Sequence, residues 1–127
     1  MKKFKEYINE NTATPPKGYD KHLKDEHDIA DHIQSTSTSH VDHGLMVDYF
    51  RGAHATLKHT PIKDIKVGDK DHNLPDRKKE KKYDKLSSST RPPIVVEKGK
   101  IIDGHHRYRD ALKKNETHIW AYHVEDN

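Results

Sequence analysis

The chain contains no cysteine. Disulfides, thiol nucleophiles, cysteine-ligated zinc and iron–sulfur clusters are therefore excluded, and any metal must be held by His, Asp or Glu. Apolar residues are also scarce, at 30% of 127 positions, with aromatics at 7% and a single tryptophan. A typical globular domain holds roughly 45–50% when glycine is counted in. A core is thus expected over part of the chain, with a long polar segment outside it. No apolar run approaches the roughly 18 residues of a membrane-spanning helix. No signal-peptide apolar region follows the N-terminal lysines, so secretion by that route is not expected. A strong charge of either sign is missing too: 24 basic against 21 acidic residues leave +3. Residues 1–60 carry eight basic and nine acidic side chains, and residues 61–127 carry sixteen and twelve. The basic excess lies in the second half without the blocks of a histone-like binder.

What is present changes character along the chain. Residues 1–10 place Phe4, Tyr7 and Ile8 on one stripe of a short amphipathic helix. Residues 11–19 contain Pro-Pro and Gly and read as a linker. Residues 20–34 suit a polar helix with Leu23, Ala30 and Ile33 on one face, followed by a loop over 35–40. Leu45, Met46, Tyr49, Phe50, Ala53 and Leu57 form a continuous apolar face and predict a helix that Pro61 ends. Ile62, Ile65 and Val67 suggest a short strand. Residues 76–86 read as an exposed basic helix. Ile94 to Val96 and Ile101-Ile102 predict two strands joined at Lys98-Gly99. A helix is expected over HHRYRDALKK, with Ala111 and Leu112 inside and Asn115 as its C-terminal cap. Residues 117–124 are the clearest strand, alternating in a way that suits burial on both faces. The result is a small mixed α/β (α+β) domain with an N-terminal helical extension.

The stretch IIDGHHRYRDAL carries the most chemistry. A strand runs into a glycine and a helix starts at once. Helix N-termini present backbone N–H groups and partial positive charge, so they take anions. Gly104 permits close approach of a phosphate. Arg107 and Arg109 add charge-assisted donors, and His105 and His106 are compact donors that titrate near neutrality. Asp103, at the strand end, is the candidate ligand for magnesium. Two further clusters invite metal readings: HDIADH at 27–32, where His27 and Asp31 are i, i+4 and so are Asp28 and His32, and His40 with Asp42 and His43. Neither has the His-Glu-x-x-His spacing of zinc enzymes. The run RKKEKK at 77–82 is a candidate nucleic-acid contact.

The segment PPIVVEKGKIIDGHHRYRDALKKNETHIWAYHV resembles the core of the ParB/sulfiredoxin superfamily, with residues 60–126 spanning most of its minimal domain. The resemblance implies a small mixed sheet with helices. It also implies binding of ATP or CTP, with Mg2+, at the Gly-to-helix turn, where Gly104, His105, His106 and Arg107 would line the phosphates. Asp-Gly-His-His-Arg is most similar to the free-serine kinases and to ParB-like nucleases. Sulfiredoxin chemistry needs a cysteine where this chain has His105. The kinase branch has a glutamate where GDKDHNLPD offers only Asp69, Asp71, His72 and Asp76. Asp71 and His72 are then the candidate bases, with His106 as a further catalytic candidate.

Residues 1–10 resemble, separately, the capsid-targeting peptide of internal head proteins of T-even-like phages, with Ile8-Asn9-Glu10 at the cleavage site. The expected organisation is a targeting peptide over 1–10, a linker and helical extension over 11–43, and a ParB/sulfiredoxin-like domain over 44–127. The expected activity couples nucleotide phosphate binding to phosphoryl transfer or phosphodiester hydrolysis. The alternative is a non-catalytic packaged phage protein that binds nucleic acid or inhibits a host nucleic-acid enzyme. Expected partners are a nucleotide, nucleic acid and a phage head scaffold, not a membrane. The expected location is the host cytoplasm or the virion interior.

Overall fold

The computed structural model describes residues 14–37, 41–67 and 90–126. Its elements are β1 (His22–Leu23), α1 (Glu26–Thr36), α2 (His43–Tyr49), β2 (Ala53–Pro61), a 3-10 turn (Ile62–Asp64), β3 (Ile94–Glu97), β4 (Lys100–Asp103), α3 (His105–Lys113) and β5 (His118–Asp126). The five strands form one mixed sheet in the order β1-β2-β5-β3-β4. The expected α/β class is present.

The sheet is built around β2 and β5, which pair antiparallel from Ala53↔Asp126 to Pro61↔His118. On the other side of β5 runs β3, parallel to it. Lys98 (φ 52°) and Gly99 (φ 81°) make the two-residue turn from β3 into β4. Positive φ at both positions matches the twist of a tight hairpin. α3 then carries the chain from edge strand β4 back to β5.

Alternation along the strands sends side chains into two cores. On one face Leu23, Ile29, Ile33, Phe50, Ala55, Leu57, Val95, Tyr122 and Val124 pack together beneath α1 and α2. On the other Ile62, Ile65, Ile94, Val96, Ile101, Ala111, Ile119 and Ala121 pack beneath α3. Each fully buried Ile or Val adds roughly 1.5–3 kcal/mol of burial free energy. β3 and β5 are buried on both faces, as their sequence pattern predicts.

Three expectations fail. The helix read over 45–57 is α2 followed by strand β2. Gly52, at φ 80°, turns the chain between them, and Ala53, Ala55 and Leu57 alternate as strand residues. Leu45 and Tyr49, expected inside, are 63% and 60% exposed. The strand expected through Ile62, Ile65 and Val67 is instead the 3-10 turn and a single bridge from Lys66 to Lys100. Ile62 and Ile65, three apart, eclipse on such a turn and both enter the core. Leu112, also expected inside, is 46% exposed, because α3 turns Arg107, Asp110 and Ala111 inward.

The region read as a polar extension contributes to the same body. β1 extends the sheet, and Ile29, Ala30 and Ile33 of α1 lie in its core. The stretches read as a targeting helix over 1–10 and a basic helix over 76–86 lie outside the described residues.

Candidate functional site

The turn from β4 into α3 fixes the candidate site. Gly104 is the N-cap of α3, with φ 106°, and as a glycine it has no side chain with which to cap the helix. The position demands glycine twice over. Its φ is one that other residues avoid, and a Cβ would stand 2.5 Å from Cγ2 of Ile94. The helical ladder starts with Tyr108 N–H donating to the Gly104 carbonyl at 2.9 Å. The backbone N–H groups of the turn before it therefore stand at the positive end of the helix. The other end closes with Asn115 at φ 57°, its N–H on the Leu112 carbonyl and that of Glu116 on the Ala111 carbonyl. That is the Schellman arrangement, with Asn in the left-handed position expected of the cap.

Arg107 does not reach outward from this turn. It is 1% exposed. Its Nη1 donates to the carbonyls of Pro92 (3.2 Å) and Pro93 (2.8 Å), and its Nη2 donates to Asp103 Oδ2 at 2.8 Å. The guanidinium that was expected at a phosphate lies beneath the turn here, where it ties α3 to β4 and to the Pro-Pro entry of β3. Asp103, the expected metal ligand, is the other half of that ion pair. Arg91 does the same work further along α3. It donates to Asp110 and Glu116. Burial opposes its charge, but the Glu116 and Asp110 carboxylates prevail and hold its pKa above the ordinary value.

His105, His106 and Arg109 stand half-buried around the turn. Burial, and then the Arg109 charge, lower the His105 pKa below 6.5, with Asp103 opposing. His105 is therefore largely neutral at pH 7 and donates through one ring nitrogen only. Asp71 and His72 lie outside the described residues, as do the 77–82 run and His40. The structure thus brings Gly104, His105, His106 and Arg109 to one turn, with Asp103 and Arg107 supporting it.

Among the described residues of this turn, Asp103 is the one carboxylate placed to hold a magnesium ion, and it would do so through its second oxygen beside the nucleotide phosphates. Asp103 shares Oδ2 with Arg107 and its side chain is 15% exposed. Among the described residues, the group of three acidic or histidine donors that converge is Asp25, Glu26 and His27, at the start of α1. Asp25 is occupied there as the N-cap, its Oδ1 accepting from the N–H groups of His27 and Asp28. In the second candidate cluster, Asp42 caps α2 and His43 pairs with Asp31 at 2.7 Å.

His32, read from the sequence with Asp28 as part of a candidate metal cluster, is not in the donor group that converges among the described residues. It is buried, with Nε2 2.9 Å from the Pro93 carbonyl oxygen. That oxygen also accepts from Arg107, so a single carbonyl joins the two faces of the sheet. Among the described residues no helix is long and apolar enough to cross a membrane. No protein-family model matches the chain, and no curated protein matches it.

Proposed function

We propose that the chain is a nucleotide-binding domain of the ParB/sulfiredoxin-like type, taking ATP or CTP by its phosphates at the Gly104 turn. The observation that carries this reading is the start of α3 directly after strand β4, held at φ 106° by a glycine that cannot bear a Cβ. A phosphate there meets backbone N–H groups and the positive end of the helix. Arg109 and His106 supply side-chain donors. Arg107 acts from below as a positioning residue: with Asp103 and the two proline carbonyls it fixes the angle at which α3 leaves the sheet.

The reaction this binding serves is phosphoryl transfer or phosphodiester hydrolysis. His106 is the catalytic candidate within the described residues, and Asp71 or His72 is the base in this reading. Asp103 would hold a magnesium ion that, when bound, neutralises phosphate charge.

The test is thermal stabilisation by ATP, CTP and GTP, each with and without magnesium, for the wild type and for Arg109→Ala. Ligand at a hundredfold over its dissociation constant stabilises a fold by about 2.7 kcal/mol. The reading expects one nucleotide to raise the melting temperature, and Arg109→Ala to reduce that rise. No rise with any nucleotide would remove the reading.

A further inference from the structure

The cleft between residues 18–23 and α1 plays no part in that function. It has a volume of about 330 Å³, and its walls include Tyr19, Asp28, Asp31, His32, Ser35 and Tyr122. Asp28, Asp31, His32 and Ser35 follow i, i+3, i+4, i+7 spacing and so share one face of α1. The cleft lies on the α1 side of the sheet, away from α3.

His32 is the informative group. It is 7% exposed. Its Nε2 faces the Pro93 carbonyl, which can only accept, so Nε2 carries the proton and Nδ1 is left as a lone-pair acceptor. Burial lowers its pKa, which keeps the ring neutral at pH 7. Edge-to-face contacts with Tyr19 (5.6 Å) and Tyr122 (4.7 Å) hold its orientation. Among the described residues no hydrogen bond reaches Nδ1, although the side chain lines the cleft.

The two carboxylates are fixed beside it. Asp28 Oδ2 accepts from the Lys24 N–H at 3.0 Å, and Asp31 Oδ1 pairs with His43 Nε2 at 2.7 Å. Each is engaged through one oxygen, which leaves the second for a ligand. These donors do not converge as a metal requires, since the close-set group among the described residues is the one at Asp25. Their spread suits a larger cation.

We propose that this cleft binds a small organic cation bearing N–H donors, a protonated amine or a guanidinium. Its N–H groups reach His32 Nδ1 and the carboxylates of Asp28 and Asp31, and its charge lies against the Tyr19 ring. A neutral His32 accepts from such a ligand without repelling it.

The experiment uses the full chain with 15N-labelled histidine rings, titrated at fixed ionic strength. The probes are agmatine, which carries both groups, and tetramethylammonium, which has charge but no N–H. The expected result is a saturable shift of His32 Nδ1 with agmatine and none with tetramethylammonium. Asp28→Asn and Asp31→Asn keep an acceptor oxygen and remove the charge. Each should weaken agmatine by about tenfold, the scale of one charge-assisted hydrogen bond. No saturable shift with agmatine, an equal response to tetramethylammonium, or unchanged affinity in either variant would overturn the proposal.

Discussion

The two faces of the sheet treat their charged groups in opposite ways. On the α3 face the conspicuous cation, Arg107, is buried and bonded to Asp103 and two proline carbonyls. What that face offers a ligand comes from backbone and from half-buried side chains. On the α1 face two carboxylates and a neutral imidazole line an open cleft. The faces meet at the Pro93 carbonyl, which accepts from Arg107 on one side and His32 on the other. A charged residue in a motif is therefore not yet a ligand contact: the side chain that looks functional can be the one that builds the turn.

Breaking this contrast should cost most at Arg107. Arg107→Ala leaves a partly buried Asp103 and two carbonyls without their donor, and removing one partner of a buried pair costs about 3–5 kcal/mol. Denaturant unfolding measures it. A loss under about 1 kcal/mol, the range of an exposed ion pair, would show that Arg107 is not the buried tie described here. Gly104→Ala comes next. It forces a side chain into positive φ and against Ile94, and each effect costs on the order of 1–3 kcal/mol. A neutral outcome in the same assay would contradict the geometry of the turn.

The smallest effect sharpens the other face. Because the folded His32 pKa lies below 6.5, the unfolded state takes up a proton first as pH falls. Stability from this group is present in full above pH 6.5 and is lost as pH falls through the lowered value. His59, His105 and His123 shift in the same direction. His32→Gln can still donate to Pro93 but does not titrate, so it should flatten part of the acid limb without abolishing it. An unchanged limb would mean that His32 is not buried as a neutral ring.

The second half of the fold was legible because its elements carry redundant signals. β3, the Lys98-Gly99 turn, α3 with its Asn115 cap, and β5 each combine a periodicity with a terminator. The segment from Leu45 to Leu57 misled because a short helix and a strand happen to join into one helical spacing, and Gly52 was the only mark of the break. At the site, Gly104 was legible from its place between strand and helix. The burial of Arg107 was not, because Arg107 and Arg109 look alike until the helix is rotated against the sheet. The Asp103–Arg107 spacing of i, i+4 was its one trace.

The most direct test of the central claim is a backbone-amide NMR titration of the full chain with ATP and with CTP. A nucleotide site at the Gly104 turn gives saturable shifts for one of them, largest at the N–H groups of residues 104–107 where α3 begins. Saturable shifts centred anywhere else, or none at all, would contradict it.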